Sequence, residues 1–127
     1  MLRIAQRIAH HVRARALVTG DVIGQVASQT LDNITVIEQA AHMPVFRPLI
    51  GMDKEEIIVE ARRLGTFDIS ILPDQDTCAL FTPRHPETHA RRHAVDAAEK
   101  TLPVDTMIQS AVDAAVVEHL SYPVIKS

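Results

Sequence analysis

The stretch that most constrains this chain runs from Ala16 to Asn33, and it reads as strand, glycine turn and helix. Ala16-Leu17-Val18 is an apolar run of the kind that forms a buried parallel strand. Thr19-Gly20-Asp21 is a turn signal, and a second glycine follows at Gly24. From Gln25 onward, Val26, Ala27, Leu31, Ile34, Ile37 and Ala41 take helical spacing. Such a corner predicts an α/β fold in which a ligand lies outside the carboxyl end of a parallel strand, against the positive end of a helix. Gly20 and Gly24 allow backbone N–H groups to approach that ligand with no Cβ in the way. Asp21, Gln25, Ser28 and Gln29 are the polar groups near the mouth. Gln25 and Gln29 stand one helical turn apart, and an amide pairs a donor with an acceptor as the edge of a nucleobase does. The competing reading is a plain βα corner in which Asp21 caps the helix and the glutamines face water. Two glycines without a full phosphate-loop pattern do not separate the two.

Around that corner the chain is short enough for one domain spanning residues 1–127, and its 46% apolar and 23% charged residues are ordinary for a globular protein. Aromatics are only 3%, so the core must rest on Ile, Val, Leu and Ala. The net charge of −3 leaves no overall basic footprint for nucleic acid, although it permits a local one. A single cysteine, Cys78, excludes an internal disulfide and fits a reducing, cytoplasmic compartment. No apolar run approaches a membrane span, and Arg3, Arg7 and His10 interrupt any signal-peptide core.

The remaining segments predict a short α/β pattern of about five helices. Residues 1–13 carry Leu2, Ala5, Ile8, Ala9 and Val12 on one face of a helix that ends in His10 and His11. Val45-Phe46 is β-like, and Arg47 stands at what would be a second strand end, where it meets either phosphate or a neighbouring carboxylate. Asp53 to Glu56 has the form of a capping box, opening a helix with Ile57, Ile58, Ala61 and Leu64 as a buried stripe and Gly65 as its C-terminal turn. Residues 66–75 read as a short strand or extended segment, 74–86 as an ordered loop anchored by Leu80 and Phe81, 88–100 as a helix with an alanine face, and 105–119 as a last helix with Ile108, Ala111, Val112, Ala115 and Val116 inward.

Cys78 has two readings. As a nucleophile or sulfur carrier it is favoured as thiolate by Arg84 and His85 and opposed by Asp74 and Asp76. Otherwise it is a small buried hydrophobe. His85, His89 and His93 recur every four residues, but Pro86 breaks the helical phase and no paired-cysteine or His-Glu-x-x-His pattern joins them, so no metal site is expected. A basic helix start meeting phosphate uses these residues better.

Three blocks point to a family. Ala16 to Asn33 resembles the nucleotide-site segment of the tRNA 4-thiouridine synthase family, also called tRNA sulfurtransferase or thiamine biosynthesis protein ThiI. Arg47-Pro-Leu-Ile-Gly-Met-Asp-Lys-Glu-Glu-Ile-Ile58 resembles the next block, and Leu72-Pro-Asp-Gln-Asp-Thr-Cys78-Ala-Leu-Phe-Thr-Pro83 the block that holds the family's cysteine. The likeness runs from Met1 to about His89. It implies a partial PP-loop ATP pyrophosphatase fold, a three-layer α/β domain of the adenine nucleotide α hydrolase type. It further implies an enzyme that adenylates a tRNA uridine with ATP and Mg²⁺ and replaces the activated oxygen with sulfur from a cysteine desulfurase, giving 4-thiouridine, and that also supplies sulfur for the thiamine thiazole. By match, Gly20 and Gln29 fall where the family contacts ATP, and Cys78 falls at its catalytic cysteine, which in some members pairs with a cysteine on a rhodanese domain. Together with Asp21, Gly24, Gln25 and Arg47 these are the expected site residues.

The departures from the family are large. The Ser-Gly-Gly-x-Asp-Ser phosphate loop, the first strands, the tRNA-binding THUMP region and a rhodanese domain have no counterpart here. The chain is therefore expected to be the C-terminal part of the adenylation domain, inactive alone. The alternative is a non-catalytic nucleotide-binding or dimerisation module. A half-sheet leaves an open strand edge and an apolar face, so a homo-oligomer is expected.

Overall fold

A computed structural model describes residues 1–24, 28–73 and 85–119. Its elements in chain order are α1 (Leu2–His11), β1 (Leu17–Val18), α2 (Leu31–Glu38), β2 (Val45–Phe46), α3 (Lys54–Arg63), α4 (Phe67–Ser70), α5 (Arg92–Glu99) and α6 (Val104–Asp113). The strands β1 and β2 pair in parallel, with Leu17 opposite Val45 and Val18 opposite Phe46. The chain is thus α/β, and α2 lies in the crossover between the paired strands, as a parallel pair requires.

The described buried apolar side chains are Ala9, Val22, Ile34 and Ile108, drawn from α1, the corner, α2 and α6. Helix α1 packs on α6 and touches β1, while α3 packs on the single turn of α4. Arg3 of α1 reaches Glu99 of α5 with two parallel hydrogen bonds of 2.6 and 2.7 Å, a fork geometry only arginine supplies. The sheet has one uncovered face. Leu17 and Val45 are half-buried, but Val18 and Phe46 are 70% and 60% exposed.

Several boundaries differ from the sequence expectation for identifiable reasons. Helix α2 begins at Leu31 rather than Gln25, because the Thr30 hydroxyl accepts the Asn33 N–H and caps the helix there. Gln29 therefore precedes the helix, and Gln25 lies outside the described residues. The capping box at Asp53 and Glu56 is present, with bonds of 2.9 and 2.8 Å, but Ile57, Ile58 and Ala61 are only half-buried and Leu64 is exposed. Instead of a strand after Thr66, the chain makes the helical turn α4, closed by Ile71 N–H on Phe67 O and Ser70 Oγ on Thr66 O, with Arg62 over the Phe67 ring at 4.7 Å. Helix α5 starts four residues later than the alanine pattern suggests, because the preceding 87–90 segment bonds to α2. Helix α6 ends at Asp113, so Ala115 and Val116 lie beyond it, exposed.

Helices α1 and α3 end in the same way. Ala14 N–H bonds Ala9 O at 2.8 Å and Arg13 N–H bonds His10 O; Thr66 N–H bonds Ala61 O at 2.9 Å and Gly65 N–H bonds Arg62 O. Both are Schellman turns, which need one left-handed residue. Gly65 supplies it at φ +70°, whereas at α1 the residue is Arg13, at φ 58°. A Cβ in that conformation costs about 1 kcal/mol. Arg13→Gly is accordingly expected to raise the unfolding free energy by about 0.5–1 kcal/mol and Gly65→Ala to lower it by about 1 kcal/mol, both read by urea denaturation.

The Arg3–Glu99 fork sets a pH dependence. The hydrogen bonds from Arg3 hold the Glu99 carboxyl below its ordinary value. A carboxyl depressed in the folded state adds stability above the unfolded carboxylate range, and loses it as pH falls through the folded value. Thermal melts of Glu99→Gln should show a shallower loss of stability on acidification than the parent chain shows.

Candidate functional site

Because β1 and β2 are parallel, their carboxyl ends open on the same side, and the turns that follow them meet there. Thr19 N–H continues the ladder to Phe46 O at 3.0 Å, and Ile23 N–H bonds Ile50 O at 3.1 Å, tying the two turns together. The expected residues Gly20, Asp21, Gly24 and Gln29 stand on this shelf. A Cβ at Gly20 or at Gly24 would meet nothing within 4 Å, so both border open space. Gly24 adopts φ +78°, a conformation suited to glycine, and its N–H closes the corner on Gln29 O at 3.0 Å. Gln29 is half-buried, and Ser28 is exposed.

Arg47 organises the floor. Its side chain is 10% exposed, and its guanidinium meets Asp21 Oδ2 at 3.1 Å and Glu38 Oε1 at 3.4 Å. Asp21 Oδ2 also accepts the Thr19 hydroxyl at 2.7 Å. Of the two partners the sequence left open for Arg47, the structure provides carboxylates. Asp21 does not cap α2, since Thr30 does. Asp21 instead joins the ends of β1 and β2 through charge.

One residue that sequence reasoning passed over dominates the other side of the corner. Asn33 is 5% exposed. Its Nδ2 donates to Ser28 O at 3.0 Å and to Glu87 O at 2.6 Å, and its Oδ1 accepts the Ala90 N–H at 2.8 Å. The Thr30 hydroxyl donates to Thr88 O at 2.7 Å. The signal was available: an asparagine on the inward side of a helix, level with Ile34, has to find partners. His89 adds an exposed contact to Asp32 at 2.8 Å. Among the described residues no group of three His, Cys, Asp or Glu side chains converges as a metal site. Cys78 and Gln25 lie outside the described residues. A groove of about 640 Å³ between α1, α2, α5 and α6 takes in Ser28 and Asn33, but not Gly20, Asp21, Gly24, Gln29 or Arg47. Among the described residues the corner is a shelf rather than an enclosed cavity.

The family profile described as "Thiamine biosynthesis protein (ThiI)" matches residues 1–104. The chain belongs to the ThiI family. Among its ThiI relatives is the probable tRNA sulfurtransferase of Thermus thermophilus, 55% identical over 112 residues, which are 88% of this chain and 28% of the relative. That of Finegoldia magna is 45% identical over 113 residues, 89% of this chain and 29% of the relative. A crystal structure of a 4-thiouridine synthetase–RNA complex with bound ATP aligns with a TM-score of 0.81 at 42% identity, over 88% of this chain and 29% of that one. The chain therefore spans less than a third of the length of the ThiI relatives it matches, and its fold is that of a partial PP-loop domain.

Replacing Arg47 by alanine leaves the Asp21 carboxylate without its charged partner at the joint of the two strands. Arg47→Ala should lower stability by about 1–2 kcal/mol in urea unfolding, whereas Asp21→Asn, which keeps an acceptor for Thr19, should cost less.

Proposed function

We propose that this chain is a component of an ATP-dependent tRNA sulfurtransferase that makes 4-thiouridine and supplies sulfur for the thiamine thiazole. The observation that carries the reading is the glycine shelf at the joined carboxyl ends of β1 and β2, in a chain whose solved relative is a 4-thiouridine synthetase–RNA complex with bound ATP. Gly20 and Gly24 offer open backbone to a nucleotide, and Gln25 and Gln29 read its base by paired donor and acceptor. Arg47 acts on the site by holding Asp21, which keeps the turn after β1 in shape. ATP would supply the adenylating group when bound and Mg²⁺ would offset its charge, while Gly20, Gly24 and Gln29 would bind and orient the nucleotide. Cys78 would hold sulfane sulfur from a cysteine desulfurase as a persulfide; its outer sulfur would bond to the activated uridine carbon, AMP would leave with the oxygen, and a second thiol would break the S–S bond by forming a disulfide with Cys78. Compartment and assembly follow the same reading: a cytoplasmic protein that acts on tRNA and self-associates through the Val18–Phe46 face. Among the described residues no helix is long and apolar enough to cross a membrane.

The phosphate-gripping loop has no counterpart in the sequence, so this chain alone binds nucleotide without turning it over. In calorimetry, ATP should bind the wild-type chain, and Gln29→Ala should bind it about tenfold more weakly, the loss of roughly one net hydrogen bond. Pyrophosphate should not be released when tRNA is added. Absence of ATP binding by the wild-type chain favours the dimerisation module, and pyrophosphate release overturns the reading that the chain is inactive alone.

A further inference from the structure

The Ser28–Thr30 turn is bonded on both of its flanks. On one flank, Gln29 O accepts the Gly24 N–H at 3.0 Å and closes the glycine shelf. On the other, Asn33 holds Ser28 O and the Glu87–Ala90 strap at once, and Thr30 holds Thr88 O. Both amide hydrogens and the oxygen of Asn33 are used, at a position 5% exposed, so water does not replace them readily. No other side chain of this length offers the same set; glutamine carries the same amide one methylene further out. Aspartate has no hydrogens to donate to Ser28 O and Glu87 O, and alanine leaves three backbone groups unpaired. The strap carries His89, follows His85 and leads into Arg91, all three exposed, so its seating bears on where these groups stand relative to the shelf.

We propose that Asn33 is a positioning residue that couples the glycine shelf to the Glu87–Ala90 strap, so that nucleotide on the shelf and the seated strap stabilise one another. The coupling itself is a property of the chain without ligand; its use by nucleotide rests on the function proposed above. Coupling of this kind is reciprocal, because whatever orders the turn from one flank lowers the cost of ordering it from the other.

Site-resolved amide exchange by NMR on the 127-residue chain tests it. In Asn33→Leu, which removes the acceptor of the Ala90 N–H and both donors, exchange at both Ala90 and Gly24 should quicken roughly tenfold, the factor for about one net hydrogen bond, while Ala5 in α1 and Leu64 at the end of α3 stay unchanged. Faster exchange at Ala90 alone means a local tie and overturns the proposal. Should the variant fail to fold, the wild-type chain decides. Saturating ATP should then slow exchange at Gly24 and Ala90 together. Slowing at Gly24 alone overturns the coupling and leaves the nucleotide reading standing; slowing at neither overturns that reading and the ligand-linked part of this one.

Discussion

Two residue pairs, Leu17 with Val45 and Val18 with Phe46, are the constraint on which the rest depends. Strands this short hold little by themselves. They matter because parallel pairing brings together turns that are far apart in sequence, and the chain reinforces it at the carboxyl end. Ile23 bonds Ile50 across the two turns, and Arg47 binds carboxylates on both sides of the crossover helix, Asp21 before it and Glu38 at its last residue. The guanidinium therefore fixes the helix and both strand ends with one group.

How much of this was readable in advance depended on how local its cause is. The capping box at Asp53 and the glycine turn at Gly65 depend on residues within a few positions, and both appear as expected. The strand at Leu17 and its partner at Val45 follow from short apolar runs beside turn residues. The start of α2 was misplaced because an unbroken apolar spacing hid the local competition, in which the Thr30 hydroxyl takes the Asn33 N–H. Residues 66–75 read as a short strand or extended segment through the loosely alternating Ile69, Ile71 and Leu72, yet these three are exposed, and a helical turn closed by backbone bonds stands at 67–70 instead. The site divides the same way. Gly20, Asp21, Gly24 and Gln29 lie within one strand–turn segment and so come to one shelf, while the amide of Asn33 acts on residues more than fifty positions away, which no local pattern announces.

Belonging to the ThiI family adds a length scale. The probable tRNA sulfurtransferases that resemble this chain are more than three times the length it covers of them. The open shelf and the bare Val18–Phe46 face are what a portion of a layered domain looks like when only some of its neighbours are present. The bonding around Asn33 is by contrast complete within the chain.

That only four apolar side chains are buried among the described residues has a calorimetric consequence. The heat-capacity increment and the denaturant slope of unfolding both scale with the surface that unfolding newly exposes. Where many large apolar residues already meet solvent, as Val18, Leu31, Phe46 and Leu64 do, less surface is left to uncover. A broad melting curve and a shallow stability dome are the expected consequence, with the ties at Arg3, Asn33 and Arg47 weighing more in the balance.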